Sequence, residues 1–150
     1  MKTILIASDH AGFVLKEKIK PYLEKLGLKV KDLGTYSKER CDYPEFAAKL
    51  AKEISRGRQK RGILICGSGI GVSIVANRFK GVRAALCYNP KAAGLSRQHN
   101  DSNVLVLGSR FASPGLKKKI IQIWLNTKFV GGRHRKRLNL IKKIEEEMSR

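Results

Sequence analysis

The sequence predicts a three-layer α/β/α domain: a doubly wound, five-stranded parallel sheet followed by a C-terminal helix. Three observations predict it. Strand-like and helix-like segments alternate five times along the chain. Several strand segments are continuously apolar, as strands covered on both faces must be. The 150 residues suit one domain, residues 1–150, long enough for a real hydrophobic core.

Thr3-Ile4-Leu5-Ile6-Ala7 reads as a buried strand ending at Ser8-Asp9-His10-Ala11-Gly12. A helix follows, with Phe13, Leu15, Ile19, Leu23 and Leu26 apolar. Pro21 marks a kink or break in it, and Gly27 its stop. Leu28 to Leu33 alternates, as a half-exposed strand does. Asp42-Tyr43-Pro44-Glu45 has the composition of a helix start, and Phe46, Ala47, Leu50, Ala51 and Ile54 recur at helical spacing. Ile63-Leu64-Ile65 is the next buried strand. It runs into Cys66-Gly67-Ser68-Gly69-Ile70-Gly71 and a helix over Val72 to Phe79. Val82 to Leu86 is a fourth strand. Asn89-Pro90 opens a helix to about His99, Val104 to Leu107 is a fifth strand, and Ser113-Pro114 opens another helix. Gly131-Gly132 ends it. Arg133 to Arg150 predicts an amphipathic basic helix with Leu138, Ile141, Ile144 and Met148 on one face.

Composition narrows the function classes. No apolar run approaches the roughly 20 residues that span a bilayer, and Met1-Lys2-Thr3-Ile4 leads straight into a strand without a signal-peptide pattern. Cys41, Cys66 and Cys87 are odd in number and widely spaced, which fits free thiols in a cytoplasmic protein and no zinc site. The net charge is +20, and Asp101 is the only acidic residue between Glu53 and Glu145. The lysines are scattered on helix faces, Lys16, Lys18, Lys25, Lys49 and Lys52 among them, as on a solvated surface. With no aromatic stacking platform beside them, a nucleic-acid partner is not expected.

In a doubly wound sheet, ligands bind beyond the carboxyl ends of the strands. That directs attention to the loops at residues 8–12, 66–71, 87–90 and 108–111. The glycine loop is no dinucleotide fingerprint. Val72 stands where the third glycine belongs, and no acid follows between Ile54 and Asn100 to hold a ribose. No Gly-Lys-Ser/Thr follows either. What remains is a nest of N–H groups beside the thiol of Cys66, suited to a phosphate or an oxyanion. Asp9-His10 reads as a helix cap with a nearby imidazole or as part of a site. His99 reads as structural when taken alone. Together, two histidines at adjacent strand ends beside a thiol point to a site. Arg133 and Arg137, four apart, share a helix face and could grip a phosphate or simply be solvated.

Six pieces occur in one order along the chain: Ser8-Asp9-His10-Ala11-Gly12, Asp42-Tyr43-Pro44, Ile65 to Gly71, Ser96-Arg97-Gln98-His99-Asn100-Asp101, Gly108-Ser109-Arg110, and Gly131-Gly132-Arg133-His134 with Arg137. In these the chain resembles the type B ribose-5-phosphate isomerases, in the wider ribose/galactose isomerase family. The resemblance implies a Rossmann-like domain that interconverts ribose 5-phosphate and ribulose 5-phosphate with no metal or cofactor. Hexose 6-phosphates of allose or galactose are the alternative substrates within the family. It also implies a homodimer with sites shared between subunits, dimer against tetramer being left open. By position Cys66 corresponds to the catalytic base and His99 to the ring-opening acid. Asp9, His10, Gly67, Ser68, Gly69, Ile70, Gly71, Asn100, Arg110, Arg133 and Arg137 correspond to substrate-binding positions, and Tyr43 to a pocket-lining one. Arg110 is expected to come from the partner subunit. Two departures stand out: Ser68 replaces the threonine common in cysteine-type members, and nothing in the family requires a charge of +20.

Overall fold

The structure is a computed structural model and describes residues 2–149. Strands β1 (Thr3–Ser8), β2 (Lys29–Asp32), β3 (Gly62–Cys66), β4 (Ala84–Leu86) and β5 (Val104–Gly108) form one parallel sheet in the order β2-β1-β3-β5-β4. Helices α1 (Phe13–Lys25), α2 (Tyr43–Ser55), α3 (Ile70–Ala76), α4 (Pro90–Asn100), α5 (Pro114–Asn126) and α6 (Arg133–Met148) complete the described chain. Side chains alternate across each strand. Leu5, Leu64, Val104 and Val106 therefore pack under α2 and α3, while Ile4, Ile6, Ile63, Ile65, Leu105 and Leu107 pack under α1, α4 and α5. This is the predicted three-layer arrangement with its C-terminal helix.

Local chemistry explains most element ends. Asn89 accepts the N–H of Ala92 at 2.8 Å and Ser113 that of Leu116 at 3.2 Å, each ahead of a proline in the first turn. Helix α1 runs through Pro21 without ending. The proline removes a donor from the carbonyl of Glu17, but both residues face solvent, so water can replace it. Helix α2 starts where predicted, yet Asp42 makes no side-chain cap. Strand β4 is shorter than predicted. Val82 is held in a turn by Phe79, and the Arg83 N–H goes to the side chain of Asn103 at 2.8 Å.

Two expectations about burial change. Lys16 is not on a solvated face: it is fully buried, with its ammonium 2.5 Å from a carboxylate oxygen of Asp32. On α6 only Leu138 of the predicted apolar face is buried, whereas Ile141, Ile144 and Met148 are 44%, 54% and 77% exposed. No described helix is long and apolar enough to cross a membrane.

Candidate active site

The strand order turns about between β1 and β3, so the chain leaves their carboxyl ends in opposite directions and opens a crevice there. Ser8 of β1 stands beside Ile65 of β3, bringing Asp9 next to Cys66. Asp9 is buried, and one carboxylate oxygen accepts the N–H of Gly12 at 3.0 Å, capping a 3₁₀ turn at His10–Gly12. The cap and the site readings therefore describe one residue. The Ser8 hydroxyl beside it is fully buried and unpartnered among the described residues.

Cys66 ends β3 with 6% of its surface exposed. The N–H of Gly69 donates to its sulfur at 3.1 Å, and the N–H of Ile70 to the Ser68 hydroxyl at 3.1 Å. This aims a donor at the sulfur, where negative charge gathers when a thiol gives up its proton. It also assigns two amides of the nest. The remaining N–H groups in the first turn of α3 have no intrahelical acceptor. Gly69 has φ +83°, and a Cβ there would stand 2.5 Å from Leu86, so the turn needs glycine twice over. Tyr43 covers Gly71 so closely that a Cβ there would stand 2.5 Å from its ring.

Arg110 belongs to this same end. The N–H groups of Ser109 and Arg110 donate to the carbonyls of Cys66 and Gly67 at 2.8 and 3.0 Å. The guanidinium lies over Gly67, where a Cβ would meet Cζ at 3.0 Å. Arg110 therefore stands beside the Cys66 of its own chain, contrary to the expectation that it crosses from a partner. His10 is half-buried, and its Nδ1 accepts the N–H of Cys41 at 3.2 Å. That bond places the proton of the neutral ring on Nε2. The backbone N–H of Cys41 thus fixes a tautomer.

His99 and Asn100 do not join them. They end α4, which runs back along the sheet, and so lie at the amino end of the strands. The Asn100 carbonyl accepts from Arg83, just before β4, and the Asn103 carbonyl accepts from the N–H of Gly62, the first residue of β3. The five residues of β3 separate that end from Cys66 by about 13 Å. The expectation of His10 and His99 at adjacent strand ends beside one thiol is therefore wrong within one chain. A residue that follows a helix and precedes a parallel strand sits at the amino end, a signal the sequence already carried.

The amino end has its own cluster. The N–H of Val130 donates to the carbonyl of Gln98 at 3.0 Å, which brings the start of α6 onto the end of α4. His134 is buried there and stacks on His99 with ring centroids 4.1 Å apart. Burial pushes the His134 pKa down, and the charges of His99, Arg133 and Arg137 push it further. Arg133 and Arg137 are both exposed on one face of α6. His134, omitted from the predicted site, was signalled only by its place beside Arg133. The chain thus carries two half-sets: Asp9, His10, Tyr43, Cys66, the 67–71 loop and Arg110 at one end, and His99, Asn100, Arg133, His134 and Arg137 at the other. Among the described residues no three His, Cys, Asp or Glu side chains gather as metal ligands.

The family model described as Ribose/Galactose Isomerase matches residues 4–141. Ribose-5-phosphate isomerase B of Escherichia coli is 48% identical over 146 residues, covering 97% of this chain and 98% of that one. The solved structure of Clostridium thermocellum ribose-5-phosphate isomerase B superposes with a TM-score of 0.95 at 45% identity, over 97% of this chain and 99% of that one. The Mycoplasma genitalium enzyme, solved with bound ribulose 5-phosphate, gives a TM-score of 0.92 at 44% identity, over 97% of each chain. With its parallel sheet, its cysteine-ended β3 and its glycine turn, the chain belongs to the ribose/galactose isomerase family.

Proposed function

We propose that this protein interconverts ribose 5-phosphate and ribulose 5-phosphate, at a site built from the Cys66 end of one copy and the His99 end of a second. The observation that carries the shared site is the separation of those two ends by the length of β3. One chain cannot apply both to one sugar. Exposed apolar side chains at both ends support pairing: Ile70, Ile74 and Phe111 near the first, Ile141 and Ile144 near the second. A two-fold pair sets the first surface of each copy on the second surface of the other, making two identical sites.

The chemistry follows from the groups so assembled. His99 exchanges a proton with the ring oxygen and anomeric hydroxyl of the furanose, which opens the sugar. Cys66 then takes the C2 proton and returns it at C1 through a cis-enediolate. Unassigned amides of the 67–71 loop face the enediolate oxygen. His10 offers Nε2–H to a sugar hydroxyl. Arg110 from the first copy, with Arg133 and Arg137 from the second, holds the phosphate, and that remote binding positions the reacting carbons. The three unpaired thiols support a reducing, cytosolic setting.

The test is turnover by the purified protein in chelator across ribose 5-phosphate, allose 6-phosphate and galactose 6-phosphate. The highest kcat/KM is expected for the pentose. A hexose preference of tenfold or more, on the order of 1.4 kcal/mol, would overturn the substrate while leaving the isomerase chemistry.

A further inference from the structure

The groove between α1 and α5 holds a cation with no counter-ion. Lys117 is 7% exposed, and its ammonium has one assigned acceptor, the Ser109 carbonyl at 2.9 Å. An ammonium carries three donors, so two are left over. Among the described residues no carboxylate lies within 4.0 Å of it. A buried charge without a partner is costly, and a methionine would fill the same space without that cost. Lys18 and Lys118 add two more cations at the groove. Glu17, next to Lys18 in sequence, is held by Lys16 and Lys20. Burial lowers the Lys117 pKa, and the charge of Lys18 lowers it further, so the neighbouring lysine is felt as repulsion.

The groove itself is a cavity of about 530 Å³ whose walls include Val14, Leu15, Ile19 and Tyr22. None of the residues assigned to the sugar-phosphate site lines it. It therefore combines an apolar body with a cationic floor and no acid.

We propose that this groove is a second ligand site, and that it takes a small organic carboxylate with an apolar tail. Two unassigned N–H groups on one buried ammonium match the two oxygens of a carboxylate. A phosphate dianion is better served by the forked arginines of the other site. The apolar walls take the tail, and the rim lysines add attraction. The occupant also touches the turn that carries Arg110, because Lys117 holds the carbonyl of the preceding residue, Ser109.

The experiment is methyl-resolved NMR of the full chain titrated with sodium octanoate below its micelle concentration, with octanol as the neutral control. Saturable shifts are expected at Val14, Leu15 and Ile19, with octanoate binding at least about tenfold tighter than octanol. Lys117→Met is expected to weaken octanoate about tenfold or more. Lys18→Met, at an exposed position that leaves the core intact, is the second arm and is expected to weaken it severalfold. Absence of saturable shifts, equal affinity for octanol, shifts centred instead on Ile141 and Ile144, or undiminished binding in both variants overturns the proposal.

Discussion

His99 and His134 lie face to face, ring centroids 4.1 Å apart and planes 11° from parallel. Two imidazolium ions so stacked would repel, and burial already disfavours a proton on His134. With its pKa below the ordinary 6.5 in the folded protein, His134 takes up protons more readily when unfolded. The stability this contributes is fully present above pH 6.5 and is lost as pH falls through the lowered value. Urea unfolding at pH 7.5, 6 and 5 should show this decline, and His134→Phe should flatten it. An unchanged slope would remove His134 as its source.

Cys66 is buried at the rim of the core under α2 and α3, and alanine removes only the sulfur that accepts the Gly69 N–H, so Cys66→Ala should leave the fold intact. Loss of a general base costs about 10²–10⁴ in rate. Turnover of ribose 5-phosphate should fall by that factor, with an unchanged circular dichroism spectrum. Exchange of the C1 proton of ribulose 5-phosphate with deuterated solvent should fall with it, since that step needs the base and no ring opening. Near-normal exchange would assign the base elsewhere.

Shared sites predict complementation. Cys66→Ala and His99→Ala proteins should each be nearly inactive alone. In a mixed dimer one site carries both defects and the other carries neither. Statistical exchange makes about half of the dimers mixed, so activity should recover to about one quarter of the unsubstituted level. No recovery, after native mass spectrometry has shown that subunits exchange, would mean that each copy works alone.

Lys16 and Asp32 join α1 to the end of β2. Burial tends to raise the Asp32 pKa, but hydrogen bonds from Lys16, Lys20 and the Gly34 N–H outweigh it, and the net shift is downward. Its stabilisation is therefore present above the ordinary value of 3.8 and is lost as pH falls through the lowered one. Asp32→Asn leaves the buried ammonium short of its carboxylate and should cost about 3 kcal/mol in denaturant unfolding at pH 7. Lys16→Met, which removes the charge that needs a partner, should cost less. The reverse order would contradict the buried-charge argument.

Much of this was legible because it is local. The caps at Asn89 and Ser113 are three-residue contacts, and their prolines sit in the first turn. The 67–71 turn announced itself because only glycine tolerates the backbone at Gly69 and the close approach of Tyr43 at Gly71. The resemblance named the candidate residues as one set, whereas the chain divides them between the two ends of the sheet. Lys16 and Lys117 looked like any other helix-face lysines, because what buries them lies on other elements. For Lys16 that is Asp32, and for Lys117 the fold of α5 against the Ser109 turn.

The sequence by itself determined the order of strands and helices, the thiol beside its glycine nest, and the family to which they point. These are properties of neighbouring residues, and periodicity, caps and turns report them directly. Only the tertiary structure decided that His99 stacks on His134 at the end of the sheet away from Cys66, and that Arg110 stays with the thiol of its own chain. The reason is directional. Helix α4 returns antiparallel to the strands, so a motif at its end is carried the full length of β3 away from a motif at the strand's own end.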